Sequence, residues 1–229
     1  MRGLGELLFG ALVVSGTAEA GPWAQAPGDI YARSIVSSER LDGEDGWRGD
    51  LYGEYGLRGH FTITGKIESV RYDGGTPGTD AYRVSLRRQL WSNSEGWAAG
   101  AEVAAIRGSS LAGVYGCDGM GGEARASIGR SGMRKGRSYY FFADVAWLTQ
   151  EGGCDRQRYE FGYGSDLSGG FFSSQQLWLE YGEQSADSIK SEIQFGYHFP
   201  LADMSLGYRQ EYGGEFKEHA VLVAVTVRR

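Results

Sequence analysis

From Phe61 to Glu68 the chain alternates strictly. Phe61, Ile63, Gly65 and Ile67 fall on one side, and Thr62, Thr64, Lys66 and Glu68 on the other. A period of two marks an extended strand whose faces meet different surroundings. The same alternation predicts twelve strands, at 29–38, 49–57, 61–72, 82–91, 97–107, 123–130, 139–149, 158–166, 172–181, 189–199, 204–212 and 219–227. Gly, Asp and Ser clusters separate them. Most are close to the roughly 9–11 residues that a tilted strand needs to cross a bilayer. Their polar faces carry charges even at mid-strand. A soluble sandwich would turn that face to water, whereas a transmembrane barrel turns it to the lumen and gives the apolar face to lipid.

Two further patterns favour the barrel. On the apolar parity, Arg71, Arg88, Arg107 and Arg130 all lie at or near strand ends. Arg at the lipid midplane costs about 2–4 kcal/mol and almost nothing near the interface, a depth rule that a water-exposed face has no reason to obey. Tyr72, Tyr82, Trp91, Trp97, Tyr139, Trp147, Tyr181 and Tyr212 also gather near strand ends, as in aromatic girdles. Connections after the even strands are tight, at 58–60, 92–96, 167–171 and 200–203, with 131–138 as the exception. Those after odd strands, such as 39–48, 73–81 and 108–122, are longer and richer in Gly and acid. Short turns in the periplasm and longer loops outside put both termini in the periplasm, as an even strand number requires.

The first 20 residues stand apart. Met1-Arg2, an apolar run from Leu7 to Val14 and Ala18-Glu19-Ala20 predict a secretory signal peptide over 1–20, cut after Ala20, with one barrel domain over 21–229. The expected location is the bacterial outer membrane. No run of 18 consecutive apolar residues occurs, which excludes a helical span. The formal charge is −6, and loss of Arg2, Glu6 and Glu19 leaves −5. That acidity, without a basic stripe, argues against nucleic acid as a partner. The 38 Gly, 14 Tyr and only 4 Pro suit twisted strands and tight turns. The two cysteines, Cys117 and Cys154, sit in Gly/Asp loops after the fifth and seventh strands, and a secreted chain with an even count predicts a disulfide between them. No metal-ligand spacing accompanies them, and no cofactor is expected.

The chain resembles the outer-membrane β-barrel proteins of Gram-negative bacteria over its mature length. Gly21-Pro22-Trp23-Ala24-Gln25, with Gly28 soon after, and Glu54-Tyr55-Gly56-Leu57 before a tight turn are similar to a narrower group, uncharacterised barrels mostly from alphaproteobacteria. The resemblance implies outer-membrane lipid and lipopolysaccharide as surroundings. It departs at the end of the chain, where barrels of this class carry an aromatic residue and this one reads Val227-Arg228-Arg229.

The candidate site is the lumen wall. Parity places Lys66, Glu68, Arg83 and Arg87 on it from the third and fourth strands, Glu102, Glu123, Arg125 and Asp144 from the next three, and Glu192 from the tenth. Acids and bases on neighbouring strands predict cross-strand ion pairs, with Arg83 and Arg87 pairing to Glu68 and Glu102. Eight strands enclose a filled interior and sixteen leave a channel, so twelve allows either a narrow pore for small solutes or a filled barrel with a structural role. Two other classes compete. Ser38 and His219, outward at one end of the first and last strands, would suit a lipid-acting hydrolase, although no third group orients the histidine and no G-x-S-x-G occurs. A soluble periplasmic β-protein with an apolar ligand is the other. The expectation is a barrel without catalysis.

Overall fold

The computed structural model describes residues 21–229 apart from 75–77, 109–116, 118, 183–186 and 215–216. Twelve strands form the wall: β1 (Ile30–Leu41), β2 (Glu44–Leu57), β3 (Phe61–Tyr72), β4 (Thr79–Ser92), β5 (Trp97–Arg107), β6 (Met120–Arg134), β7 (Arg137–Gln150), β8 (Arg156–Asp166), β9 (Phe171–Gly182), β10 (Ser188–His198), β11 (Asp203–Gly214) and β12 (Glu218–Arg228). Each pairs antiparallel with its sequence neighbours. The sheet closes where β1 meets β12, in register from Tyr31 opposite Arg228 to Leu41 opposite Glu218. Ile30 and Arg229 exchange both backbone hydrogen bonds at 2.8 and 2.9 Å, sealing the foot of the seam. Closure leaves no strand edge to pair with another chain.

Several strands run longer than their alternation predicts. The loop expected at 39–48 is instead two strand ends joined at Asp42-Gly43, whose φ values of 48° and 96° make the tight turn that matches strand twist. The exception at 131–138 disappears likewise, because β6 and β7 continue to a turn at Lys135-Gly136, with φ of 53° and 75°. All described connections after even strands are therefore short. Of the loops expected at 73–81 and 108–122, residues 75–77, 109–116 and 118 lie outside the described ones. The disulfide forms: Cys117 joins Cys154 with 5.8 Å between Cα atoms, tying the β5–β6 connection to the β7–β8 connection.

The molecule is inverted relative to a soluble one. Large apolar side chains such as Val84, Val103, Phe195 and Leu206 stand 57–61% exposed around the outside. Charged ones such as Arg48, Glu39 and Glu218 are at most 3% exposed within. A continuous outer belt of that kind is far beyond the few hundred Å² of apolar patch that soluble monomers tolerate. At the ends of the belt three of the four outward arginines find partners. Arg71 is bidentate to Asp80 at 2.9 Å, and Arg88 and Arg130 lie over the rings of Phe61 and Trp97.

Inside, bulky side chains lie flat on the wall where the facing residue is glycine. Tyr140 and Phe142 stand opposite Gly164 and Gly162, and Phe172 opposite Gly196. A Cβ added at any of these glycines would come within 2.1–2.3 Å of the ring, so the ring occupies the space that a side chain would need. This packing keeps those aromatics off the barrel axis.

Candidate functional site

The nine side chains expected on the lumen wall all point inward, and the structure gathers eight of them, with others, into two ionic clusters, while Arg87 pairs apart with Glu54. One is centred on Arg48 of β2. It donates to Glu39 at 2.7 Å, Glu68 at 2.5 Å and Glu218 at 3.4 Å. Glu218 also receives Lys190 at 3.0 Å and Arg209 at 2.8 Å. Arg209 in turn reaches Glu192 at 3.7 Å, while Lys66 pairs with Glu68 at 3.2 Å. The second cluster spans β4 to β8. Arg83 bridges Glu102 at 2.7 Å and Glu123 at 2.9 Å, and Arg125 bridges Glu123 at 2.9 Å, Asp144 at 3.1 Å and Glu160 at 3.0 Å.

The pairing differs from the flat-sheet expectation in an instructive way. Arg83 does meet Glu102 on the adjacent strand, but neither inward arginine of β4 takes Glu68. Arg87 reaches over β3 to Glu54 at 2.7 Å. Arg83 to Glu123, Arg125 to Glu160, Arg48 to Glu218 and Arg209 to Glu39 likewise skip a strand. Inward side chains converge as a sheet curls, so strands two apart come within reach. Alternation over the shorter predicted strands missed Arg48, Arg156 and Glu218, which lie in the strand extensions. It also passed over Arg33, Glu39 and Asp50, whose inward parity is visible once the first hairpin is drawn to its full length.

The N-terminal segment belongs to the site, and nothing in its composition announced that. Residues 21–28 form no strand but run inside the barrel along the wall from β7 to β2. Trp23 packs edge-on to Tyr140 at 6.3 Å, beside Phe142. A Cβ at Gly129 would meet the Trp23 ring, and one at Gly100 the Pro22 backbone. The Ala24 amide donates to Gln89 at 3.1 Å and the Gln25 amide to Thr62 at 3.0 Å. The Gln25 side chain donates to Glu54 at 2.5 Å, and the Gly28 amide to the Gly56 carbonyl at 2.9 Å. At Gly56 any side chain would strike the Ala26 carbonyl, so glycine is required by space alone. The strap therefore crosses the short-turn end of six consecutive strands. The two sequence motifs singled out above, 21–25 and 54–57, are the two halves of one clasp. Glu54 is its hub, also receiving Arg87 and the Tyr52 hydroxyl, the latter at 2.5 Å.

On the opposite side of that mouth, His198 lies between Asp203 at 2.7 Å and Asp166 at 3.2 Å, stacked on Phe172 at 4.7 Å. Arg228 donates to Asp203 at 2.5 Å and lies over the Tyr31 ring, so the cationic end of the chain is built into the rim. Ser138 joins through Asp166. Between the two clusters the lumen keeps a cavity of about 110 Å³, lined among others by Arg33, Lys66, Arg83, Arg158, Glu160 and Trp178. A second of about 50 Å³ shares Lys66, Glu68, Arg83 and Arg158 and continues to Gly108 at the long-loop end. The pair at Ser38 and His219 does not assemble: Ser38 stands opposite Val221, and His219 is bonded to the Tyr208 hydroxyl at 2.9 Å. Among the described residues the main cavity is lined mostly by charged side chains and offers no apolar chamber. Among the described residues no group of three or more His, Cys, Asp or Glu side chains is placed to hold a metal ion.

The sequence matches no family model and no curated protein. Solved structures do match. The COG4313 outer membrane channel from Pseudomonas putida F1 aligns with a TM-score of 0.61 at 10% identity, over 91% of this chain and 98% of its own. The NanC porin aligns at 0.61 and 9% identity, and the KdgM porin at 0.58 and 10%, each over 85% of this chain and 98% of theirs. At such identity the likeness establishes the fold: a closed, twelve-stranded antiparallel barrel of the outer-membrane porin type.

Proposed function

We propose that the protein is an outer-membrane channel that passes small solutes along a charge-lined lumen narrowed at its periplasmic end by the N-terminal strap. The observation that carries this reading is the cavity of about 110 Å³ that persists among the paired charges of the lumen, inside a wall whose outer face is apolar. The structural neighbours, two porins and an outer membrane channel, agree with it. In this reading Lys66, Glu68, Arg83, Arg87, Glu102, Glu123, Arg125, Asp144 and Glu192 form the wall past which solutes move. The wall has no catalytic role. Signal cleavage after Ala20 frees Gly21 to seat in the lumen, and residues 21–229 make one domain. The outer belt meets lipid, and its outer rim, with Arg71 and Arg40, meets lipopolysaccharide. The clasp between 21–28 and β2 is the feature we assign to the alphaproteobacterial group whose motifs the chain shares.

Planar-bilayer recording of the refolded protein tests the proposal. Discrete conductance steps are expected. Their absence in repeated insertions would return the barrel to a structural role.

A further inference from the structure

We propose that the lumen holds a binding subsite for a glycosyl unit, with Trp178 as its stacking platform. The inference rests on the channel reading for its biological setting but on separate observations for its chemistry.

Trp178 is the inward-facing aromatic that the packing rule of this barrel does not accommodate. Tyr140, Phe142 and Phe172 lie on glycines of the next strand. Tyr52 is taken up by Tyr31 and Glu54. Trp178 has Glu160 on one side and Lys190 on the other as its register partners. With side chains on both flanks, the indole cannot lie down on the wall and projects into the cavity that it lines. It is only half-buried, and among the described residues it makes no hydrogen bond or ring contact. Its N–H is not sealed from solvent. The other tryptophans within strands or at their ends, Trp47, Trp91, Trp97 and Trp147, face outward, and Trp23 is held in the strap.

The surroundings define the ligand. The apolar face of a pyranose matches an indole face, and its hydroxyls need donors and acceptors around the edge. Gln176, two positions along β9, carries an amide with no partner among the described residues, and it lines the same cavity. Glu180, two positions the other way, is bonded by Arg158, and Glu160 by Arg125, so both carboxylates have oxygens fixed in place as acceptors. Lys190 and Arg158 supply donors. Eight bases and six acids line the cavity, so an ion of either sign meets like charges as well as opposite ones, and a neutral polyol fits. A volume of about 110 Å³ holds on the order of seven to ten waters, comparable in bulk to one hexose.

The test uses maltotriose, a neutral linear trisaccharide, on the refolded full-length barrel. In planar bilayers, addition to the long-loop side is expected to interrupt the wild-type current. Trp178→Ala should shorten each interruption about tenfold, the scale of one lost stacking contact, while Trp178→Phe keeps an intermediate dwell. Open-channel conductance of Trp178→Ala equal to or above wild type shows that it is folded. Unchanged dwell in Trp178→Ala, or a wild-type current that maltotriose does not interrupt, overturns the subsite while leaving the channel standing. If the wild type does not conduct, tryptophan emission in detergent decides. A maltotriose-dependent shift lost in Trp178→Ala supports the subsite in a closed barrel, and no shift overturns it.

Discussion

Glu54 shows what a single residue does in this interior. Its two carboxylate oxygens receive Gln25, Tyr52 and Arg87, from the strap, its own strand and a strand two away. A carboxylate so placed is neutralised and immobile. Replacing Arg83 and Arg87 together by Gln removes both cationic partners on β4 and leaves Glu54, Glu102 and Glu123 under-compensated. In a wall of low dielectric the uncovered charge is screened less than in bulk water. Selectivity should therefore move towards cations, most at low salt, read as a changed reversal potential under a KCl gradient. An unchanged potential at intact conductance would place these arginines away from the constriction. Arg48 is the more fragile residue, 3% exposed amid three carboxylates. Breaking a buried pair by removing one partner costs about 3–5 kcal/mol, so Arg48→Met should lower the urea midpoint sharply, where Arg40→Met, at an exposed pair with Asp45, should leave it nearly unmoved.

At the scale of elements, the strap and the disulfide act at opposite ends. Trp23→Ala removes the ring that anchors the strap against Tyr140 and Phe142. Conductance should rise and become noisier as the segment loosens, and Gly56→Val, which strikes the Ala26 carbonyl, should do the same without touching any charge. Equal conductance in both variants would show that the strap does not narrow the path. The disulfide closes a separation of 37 residues in sequence, and such closure contributes on the order of 3–4 kcal/mol. Reduction should lower unfolding resistance and leave conductance steps unchanged, since the bond lies in the connections and not in the wall. The elements were largely legible from period-two alternation, as were the inward parity of the charges and the disulfide. Strand ends were not, because Asp42-Gly43 and Lys135-Gly136 sit inside polar stretches where alternation fades and only backbone twist decides the turn. The strap was invisible for another reason. Its hydrogen bonds go to inward side chains of β2, β3 and β4, and its ring packs on β7, so no local pattern in residues 21–28 encodes where they sit. Second-neighbour ion pairs escaped for want of curvature, which exists only once the sheet closes.

For the whole molecule, closure predicts heat-modifiable migration in gels and recovery with outer membranes. Appearance in the soluble periplasmic fraction would rule out the barrel in the membrane. A cysteine placed at Asp73 should react with an impermeant maleimide on intact cells, and one at Asn93 should not; the reverse would invert the orientation. Closure also bears on the order of events during insertion. Arg48 and Glu218, like Glu39 and Arg209, are 170 positions apart in the chain, yet each pair shares one buried cluster beside the seam. A barrel growing hairpin by hairpin from its first strands would carry Arg48, Glu39 and Glu68 with their last counter-ions still unmade. Partial barrels would then hold uncompensated charge against a shrinking water column, and the final hairpin would release that penalty all at once. The ionic interior thus makes assembly behave as a single cooperative event timed by the last strand, and a chain stalled before β12 should be rejected from the bilayer rather than stored in it.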